Sequence, residues 1–419
     1  MNSWQDTEIG RIPAGWDLKT LDEIKSSEKK AIISGPFGSN ISAKFFVTSG
    51  IPVVRGNNLS LDLGIKFKDD GFVFICPEKA NELNTWAVKD DIIFTAVGTI
   101  GQVGILTGKE KYEKYIISNK QLRLRIDKTI IEPLYAFYWF SSPQMTETIV
   151  QRNTGSSVPL INLSVLKSLL IPVPSKVERK GILDILTSLD DKIDLLHRQN
   201  KTLEAMAETL FRQWFVEEAE DGWEETTLYD AIELVGGGTP KTGVSEYWDG
   251  EINWLSGGDI SSNHKNFVMA SEKRISKNGL ENSSANLLPK YSIVISARGT
   301  VGKYCILPEP MTFSQSNYGI MPKFKDCFFF TYALIAHYVD ELLSAAYGSV
   351  FDTITTNTFK ETKLTLPSEK RIREIENGIS PYFLKMLNNQ TQIQTLTQLR
   401  DMLLPKLMSG EVRLKMNLN

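Results

Sequence analysis

The sequence predicts a mixed α+β fold in which two tandem α/β domains are separated by two long helices, and the helices form an antiparallel coiled coil with pseudo-twofold symmetry. Two long stretches have apolar residues at alternating intervals of three and four. Short glycine-bounded motifs occur twice in the same order, and strand-like alternation fills much of the remainder. The expected segments are a first domain at 1–174, a first helix at 175–218, a second domain at 219–368 and a second helix at 369–415.

The composition bounds the class of protein. Hydrophobic residues make up 42% of the 419 residues, enough for two or three packed domains, and the net charge of -3 argues against a uniformly basic nucleic-acid binder. No run of about eighteen apolar residues and no signal-peptide pattern occurs, so we expect a cytoplasmic protein without a membrane partner. The three cysteines and three histidines have no metal-binding spacing, so no metal site is expected.

The first domain mixes strand-like runs with one aromatic helix. Residues 51–54 and 91–94 are rich in β-branched and aromatic side chains, and 121–126 alternates as a strand with one basic face. Residues 133–140 are nearly all apolar, which is typical of a buried helix. The first domain is therefore predicted to be mixed α and β.

The first long helix carries a heptad stripe. Its predicted contact residues are Leu189, Ile193, Leu196, Asn200, Leu203 and Leu210. Charged residues, Asp190 among them, are expected on the other faces, and Asn200 is the one polar residue in the stripe. Pro172 and Pro174 prevent an earlier start and Asp221-Gly222 marks the end, which predicts a rod of roughly 50–60 Å at 1.5 Å per residue.

The second half of the chain repeats the plan of the first. Pro174 and Pro367 differ by 193 positions, as do Leu203 and Leu396, and as do Gly155-Ser156 and Gly348-Ser349. Between such markers the two halves differ, which indicates a shared framework with loops of different function.

The second helix has its own stripe, and the two helices are expected to pair. Its predicted contact residues are Met386, Asn389, Ile393, Leu396, Leu403 and Leu407. Buried asparagines set the register of coiled coils at a cost in stability. An antiparallel pair would bring Asn200 and Asn389 together, so we predict that contact.

The motifs of a self-contained enzyme are missing. The chain has no Pro-Pro pair, which the motif of adenine methyltransferases requires, and Gly108-Lys109-Glu110 does not match a phosphate-binding P-loop. A catalytic site is therefore not predicted. A non-catalytic scaffold with two protein-binding modules on a coiled coil stays open as an alternative, as does DNA binding.

Two Gly-Thr-Ile/Val-Gly turns recur, each after a strand-like run, at 98–101 and 299–302. Glycine allows positive φ and close backbone approach, so each turn is either a structural hairpin or a place where the backbone, Thr99, Thr300 or Arg298 lies against phosphate.

Other polar loops supply side chains that pair with base edges. Arg, Asn and Gln form bidentate bonds with guanine or adenine. The candidates are Arg55, Asn57, Asn58, Asn119, Lys120 and Gln121 in the first domain, with Gly257, Asp259, Gln315 and Asn317 in the second.

Taken together, these features resemble the specificity subunit of type I restriction-modification systems. The resemblance covers nearly the whole chain. Its carriers are residues 12–16 and 221–223 at the domain starts, the two Gly-Thr turns, and the Pro-ended strands before the paired helices. The most specific stretch is 399–411, Leu-Arg-Asp-Met-Leu-Leu-Pro-Lys-Leu-Met-Ser-Gly-Glu, which is similar to the family's C-terminal conserved region.

The resemblance implies two target recognition domains, each reading one half of a split double-stranded DNA target, with the coiled coil setting the gap. It also implies two methyltransferase subunits, which bring S-adenosylmethionine, and restriction subunits, which use ATP and Mg. Because the two variable domains differ, the target is expected to be asymmetric.

Overall fold

The computed structural model describes residues 3–220, 222–347 and 353–413, so the repeated marker Gly348-Ser349 and Asp221 lie outside the described residues. The chain divides into two compact units. Unit 1 contains the chain up to Lys192 together with the segment from Leu396 onward, and unit 2 is Ile193–Thr395. Each unit thus contains part of both long helices.

Unit 1 is built from short strands and short helices. The strands are β1 (Trp4–Thr7), β2 (Gly10–Pro13), β3 (Asp17–Thr20), β4 (Ile32–Ser34), β5 (Phe46–Val47), β6 (Ile51–Val54), β7 (Val73–Ile75), β8 (Trp86–Val88), β9 (Ile92–Thr95), β10 (Val103–Ile105), β11 (Lys114–Ile117), β12 (Gln121–Leu124) and β13 (Leu170–Val173). The helices are α1 (Leu21–Ile24), α2 (Pro77–Leu83), α3 (Pro133–Phe140), α4 (Pro143–Gln151) and α5 (Leu163–Lys167).

Two main sheets organise unit 1. One has the order β10-β9-β12-β4 and the other β5-β7-β6-β11-β8. In the first sheet β12 pairs antiparallel with β9, so that Gln121 lies opposite Thr95. The aromatic helix α3 is buried as predicted and belongs to the same apolar core as β9 and β12. This core fixes the ends of β9 and β12, where the polar loops begin.

The first long helix, α6 (Lys176–Arg212), is followed by one turn of π-helix at Gln213–Glu217. Unit 2 then continues with strands β14 (Glu224–Thr227), β15 (Ile232–Gly236), β16 (Trp248–Leu255), β17 (Lys273–Ile275), β18 (Ile293–Ser296), β19 (Tyr304–Ile306), β20 (Thr312–Phe313), β21 (Asn317–Pro322) and β22 (Lys363–Leu366). Its helices are α7 (Leu228–Ala231), α8 (Gly257–Ser262), α9 (Lys277–Glu281), α10 (Phe328–Tyr347) and α11 (Thr356–Glu361), and the second long helix is α12 (Glu369–Met408).

Unit 2 repeats the four-stranded sheet of unit 1. Its four-stranded sheet has the order β15-β21-β18-β19, the counterpart of β4-β12-β9-β10. Asn317 at the start of β21 lies opposite Ser296 at the end of β18, as Gln121 lies opposite Thr95 in unit 1. The sequence repeat therefore reflects a structural repeat, with Asn317 in the position of Gln121.

The long helices pair in the antiparallel direction, as predicted. In unit 2, Nδ2 of Asn389 donates to Oδ1 of Asn200 at 2.9 Å, and Arg371 pairs with Glu218 at 2.9 Å. In unit 1, Arg400 reaches Asp190 at 3.2 Å. As the residue number rises along α6 it falls along α12. The predicted contact between Asn200 and Asn389 is confirmed.

Most of the predicted stripe is buried, but the contact face is broader. Of the predicted contact residues, Ile193, Leu196, Asn200, Met386, Asn389, Ile393 and Leu407 are buried, whereas Leu189, Leu203, Leu210, Leu396 and Leu403 are half-buried. The prediction that Asp190 lies on an outer face is wrong. Its carboxylate is 4% exposed because Tyr138, Lys66 and Arg400 surround it.

Candidate nucleic-acid interface

In unit 1, three loops that are distant in sequence meet at one cleft of about 660 Å³. They are 55–57 after β6, 97–99 after β9 and 118–121 before β12. Six of the predicted candidates line this cleft: Arg55, Asn57, Thr99, Asn119, Lys120 and Gln121. In the four-stranded sheet, β9 and β12 are neighbours, so the end of β9 lies beside the start of β12. The loops at 97–99 and 118–121 therefore meet at the cleft.

Backbone geometry at two glycines shapes the cleft. Gly98 has φ of +101° and Gly101 of +96°, values that a side chain would disfavour, and the Gly98 N–H donates to the Pro159 carbonyl at 3.0 Å. This turn leaves Thr99 exposed at the cleft. The glycines are thus required by the turn itself, and contact with phosphate is a separate property that the turn permits.

The candidates in unit 1 divide into exposed and buried groups. Arg55, Asn57, Thr99, Asn119 and Lys120 are exposed. Their side chains are accessible to a ligand, although Nδ2 of Asn57 also donates to the Gly71 carbonyl at 3.2 Å.

Asn58 is fully buried, and its side chain accepts from the Arg55 N–H at 2.9 Å and donates to the carbonyls of Lys68 and Asp70 at 2.9 and 2.8 Å. These bonds hold the 55–58 loop in its conformation, so we assign Asn58 a role in shaping the loop.

A buried polar group forms the floor of the cleft. Thr95 donates to Oε1 of Gln102 at 2.9 Å, and Ser118 donates to Oε1 of Gln121. Gln121 is 1% exposed and its Nε2 has no hydrogen-bond partner. An unpaired buried amide costs free energy. A bound molecule that accepts a hydrogen bond from Nε2 of Gln121 would remove that cost.

The charge of the cleft differs from that of the chain. Arg55 and Lys120 are the ionisable side chains among the described lining residues, and none of those lining residues is Asp or Glu. The chain as a whole has a net charge of -3. A surface with cations, amides and no carboxylate suits a polyanion with hydrogen-bonding groups.

The predicted basic face of the 121–126 strand is neutralised inside unit 1. Arg123 is buried and lies 3.5 Å from Asp91, and Arg125 bonds Asp91 at 2.8 Å and pairs with Glu28. Burial lowers the pKa of Arg123, whereas the bond to Asp91 raises the pKa of Arg125. Both arginines therefore hold the sheet together, and the sequence pattern alone could not show this because Asp91 is distant in the chain.

The equivalent region of unit 2 gathers Gly257, Arg298 and Thr300. Thr300 Oγ1 donates to the Gly257 carbonyl at 3.3 Å, and the turn that contains Thr300 again has glycines at positive φ, +77° at Gly299 and +79° at Gly302. Arg298, Thr300 and Gln315 are exposed. These side chains are the accessible candidates of unit 2.

Two other candidates in unit 2 are engaged within the chain. Asp259 accepts from the backbone and hydroxyl of Ser256 at 2.8 and 2.6 Å and caps α8. Asn317 is buried and donates to Ser314 Oγ at 2.7 Å, while its Oδ1 has no partner. Asn317 therefore repeats the buried amide of Gln121 at the same point of the sheet.

Apolar residues of the cleft were not found from the sequence. Ile41 and Phe46 line the cleft together with Val53 and Val97. Single apolar residues in a loop-rich segment carry no periodic signal, so only the fold brings them to this place.

The described residues contain no group of three or more His, Cys, Asp or Glu side chains arranged to hold a metal ion. Among their helices, none combines the length and apolar character needed to cross a bilayer.

One protein family matches most of this chain. The family model described as type I restriction modification DNA specificity domain matches residues 13–205 and again 220–398. The MjaIX specificity subunit of Methanocaldococcus jannaschii is 24% identical over 442 residues, covering 98% of this chain and 97% of the relative. The HindI specificity subunit of Haemophilus influenzae is 24% identical, covering 77% and 87% respectively.

A solved structure shows the same fold. The type I restriction-modification S subunit from M. genitalium matches with a TM-score of 0.58 at 16% identity, over 94% of this chain and 96% of that one. The repeated family match agrees with the structural repeat of units 1 and 2. This chain belongs to the family of type I restriction-modification DNA specificity subunits.

Proposed function

We propose that this chain selects the DNA target of a type I restriction-modification complex, with each unit reading one half of a split, asymmetric sequence. The observation that carries the proposal is the cleft of unit 1, in which Arg55 and Lys120 stand beside Asn57 and Asn119 without a carboxylate. Cations attract the phosphate backbone, while amide and guanidinium groups distinguish base edges. The chain itself is proposed to be non-catalytic.

The two half-sites are proposed to differ because the accessible side chains differ. Unit 1 presents Arg55, Asn57 and Asn119, whereas unit 2 presents Arg298 and Gln315. Arginine favours guanine, and asparagine or glutamine favours adenine. Different sets of readers on the same framework predict a target without internal symmetry.

The paired helices are proposed to set the gap between the half-sites. Two readers on one face of B-DNA are about 34–36 Å apart when separated by one helical turn. Because Asn200 pairs with Asn389 and Glu218 with Arg371, the level of α6 just after Leu196 corresponds to the level of α12 just after Gln392. Insertion of one heptad after Leu196 and another after Gln392 lengthens both helices in step. We expect a longer gap with unchanged half-sites in a map of methylated bases, and an unchanged gap would count against this role.

The catalytic chemistry is proposed to come from partner subunits. Two methyltransferase subunits would supply S-adenosylmethionine and methylate adenine N6, and restriction subunits would supply ATP-dependent cleavage with Mg. Because cellular DNA is the proposed substrate, the complex is proposed to act in the cytoplasm. Co-purification of this chain with its methyltransferase, followed by mass measurement of the complex, tests the proposed pair of methyltransferase subunits.

The test of the function is sequencing of methylated bases in cells that express the methyltransferase with or without this chain. We expect N6-methyladenine at one split motif that disappears when the chain is absent. If the methyltransferase is active and no motif depends on this chain, the scaffold of protein-binding modules replaces DNA targeting.

Variants of the cleft refine that test. Arg55→Ala should weaken binding by about 1–3 kcal/mol and relax the preference at one base pair, because a bidentate contact is lost. Lys120→Ala should weaken binding to all sequences equally and reduce the salt dependence, because a phosphate contact is lost. Lys128→Ala is the control, since Lys128 pairs with Asp90 outside the cleft.

A further inference from the structure

Phe37 is the most exposed of the large apolar side chains among the described residues, with 85% of its surface accessible. Burial of a phenylalanine ring away from water is stabilising, so an exposed ring forgoes that stabilisation. Single exposed apolar residues are common on protein surfaces. What distinguishes Phe37 is where it lies and how firmly its loop is held.

The Phe37 loop, Gly35–Gly38, is fixed at both ends. The Gly35 N–H donates to the Gln121 carbonyl at 2.9 Å, and any side chain at Gly35 would collide with the Ser118 carbonyl. After the loop, a turn of 3-10 helix at Gly38–Ile41 begins, and the Asn40 N–H donates to the Phe37 carbonyl at 2.8 Å. The backbone therefore holds the ring outward.

The loop borders the cleft of unit 1. Gly38 lies so close to Asn119 that a Cβ at Gly38 would be 3.1 Å from Nδ2 of that side chain. Ile41, at the end of the 3-10 turn, lines the cleft together with Phe46. The Phe37 loop thus adjoins a cleft that is lined by these apolar residues and by the polar loops that carry Arg55 and Lys120.

In unit 2 the corresponding loop begins at an equivalent glycine but has no exposed aromatic ring. Any side chain at Gly237 would collide with the Ser314 carbonyl, as at Gly35 and Ser118 in unit 1, so Gly237 occupies the position of Gly35. Two residues later unit 1 has Phe37, and unit 2 has Thr239, which is half-buried. The buried Pro240 follows. The exposed aromatic ring is therefore a property of unit 1.

We propose that Phe37 is an apolar wedge that enters the DNA duplex between two base pairs of the half-site read by unit 1, and that unit 2 reads its half-site without a wedge. The inference rests on the proposed function. Apolar side chains inserted at a base step unstack it and kink the duplex, and the ring recovers the burial that it lacks in the free chain. The cations beside it hold the phosphates of the kinked segment.

The experiment uses the complete complex of this chain with its methyltransferase and a duplex that carries the motif found by methylation mapping. Binding is measured for the unaltered chain, Phe37→Ala and Phe37→Trp. Val150→Ala, on α4, is the matched control because Val150 is an exposed apolar residue of unit 1 outside the cleft. A second set of duplexes carries 2-aminopurine in place of single adenines of each half-site other than the methylated ones, because a methyltransferase flips its target base out of the stack. At the remaining positions, a rise in fluorescence reports unstacking at a base step.

We expect Phe37→Ala to weaken binding about 5- to 100-fold, the range that corresponds to loss of one aromatic contact with a base. Phe37→Trp should retain most of the affinity, and Val150→Ala should match the unaltered chain. Fluorescence should rise at one step of one half-site with the unaltered chain and stay low with Phe37→Ala.

Three results would overturn the wedge. The first is binding and fluorescence by Phe37→Ala equal to those of the unaltered chain. The second is a rise in fluorescence that does not depend on Phe37. The third is loss of methyltransferase from the Phe37→Ala complex, which would assign the ring to a protein contact. If the unaltered complex itself fails to prefer the motif over a scrambled duplex, the proposed function fails, and that result differs from all three.

Discussion

The two units bury different chemistry at matching positions of the long helices. In unit 1, Asp190 of α6 and Arg400 of α12 form an ion pair, and both are nearly inaccessible. The positions that differ from these by 193 are Phe383 and Ala207, which are buried in the apolar core of unit 2. A charged contact in one unit thus corresponds to an apolar contact in the other.

The charged contact of unit 1 has several members. Asp190 receives a hydrogen bond from the Tyr138 hydroxyl at 2.5 Å and an ion pair from Lys66 at 2.8 Å, in addition to Arg400. Arg400 also pairs with Asp401 at 2.8 Å. Every oxygen of the Asp190 carboxylate is therefore engaged, which is the condition under which a buried charge is tolerated.

The apolar contact of unit 2 is aromatic. Phe383 stacks on Phe329 with ring centroids 4.9 Å apart and meets Tyr332 edge-on at 5.1 Å. The position of Lys66 changes too. In unit 2 the Asn266 carbonyl accepts from the Ile306 N–H at 3.0 Å, as the Lys66 carbonyl accepts from the Ile105 N–H at 2.9 Å in unit 1, so Asn266 stands where unit 1 has Lys66. Beside Ala207 there is a cavity of about 210 Å³, where unit 1 has the side chain of Arg400.

One framework thus accepts either a charged or an apolar contact at these positions, but substitutions have different consequences in the two units. Removing one partner of a buried ion pair leaves an uncompensated charge, whereas apolar contacts are lost in proportion to volume. We therefore expect the largest loss of stability where a buried charge loses its partner.

Asp190→Ala should destabilise unit 1 by about 3–5 kcal/mol, because Arg400 would remain buried with only the half-exposed Asp401 as its partner, and the half-buried Lys66 would lose its carboxylate. Urea unfolding of the full chain, with hydrogen exchange resolved by unit, measures the effect. Asp191→Ala is the control, since Asp191 is mostly exposed and should change stability by less than about 0.5 kcal/mol. Equal losses of stability in Asp190→Ala and Asp191→Ala would show that the buried ion pair contributes no more than an exposed carboxylate.

Stability of unit 2 should depend on pH through Glu376. Its carboxylate accepts from the Phe330 N–H at 2.6 Å at the start of α10, and burial raises its pKa from 4.5 to about 7. At the start of α3 in unit 1, by contrast, Glu132 pairs with Arg179 at 2.7 Å. The folded chain therefore holds a proton on Glu376 over a pH range in which the unfolded chain has released it.

Because the folded pKa is the higher one, the stabilisation is complete below pH 4.5 and is lost as pH rises through about 7. At 1.36 kcal/mol per pKa unit, the loss amounts to about 3 kcal/mol. Glu376→Gln should abolish this dependence in unfolding experiments between these pH values, and Glu374→Gln, at an exposed site on the same helix, should leave it intact. A pH profile unchanged by Glu376→Gln would contradict the assignment.

Converting unit 1 to the chemistry of unit 2 should cost less than breaking the ion pair. The triple variant Lys66→Asn, Asp190→Phe and Arg400→Ala removes all three charges together, so no uncompensated charge remains, and we expect a loss below about 2 kcal/mol. The same unfolding measurement applies. A triple variant less stable than Asp190→Ala would show that the surrounding residues of unit 1, such as Tyr138, require the charges.

The neutral pair in unit 2 should give the smallest effect. Asn389→Leu removes the bond to Asn200 and leaves a buried amide partly unsatisfied, at a cost of about 1–2 kcal/mol. Replacing both Asn200 and Asn389 with Leu should restore stability, since buried asparagines trade stability for register. Asn388→Leu is the exposed control. A double variant no more stable than Asn389→Leu would contradict this account.

Much of the architecture could be predicted because its signals are local or periodic. The heptad stripes determined the two helices, and the single asparagine in each stripe predicted both their antiparallel direction and the contact between Asn200 and Asn389. The repeated Gly-Thr turns predicted the shared sheet plan, because glycines at positive φ mark the same turn after β9 and after β18. These features depend on neighbours along the chain.

Only the tertiary structure decided which polar residues are accessible. Asn57 and Asn58 are adjacent in sequence, yet one is exposed and the other is buried by bonds to residues ten and twelve positions away. The heptad pattern predicts Asp190 on the exposed face of its helix, but in the folded chain Lys66, Tyr138 and Arg400 surround it. Burial and charge pairing are set by partners that are distant in the chain, so the pattern of one segment could not determine them.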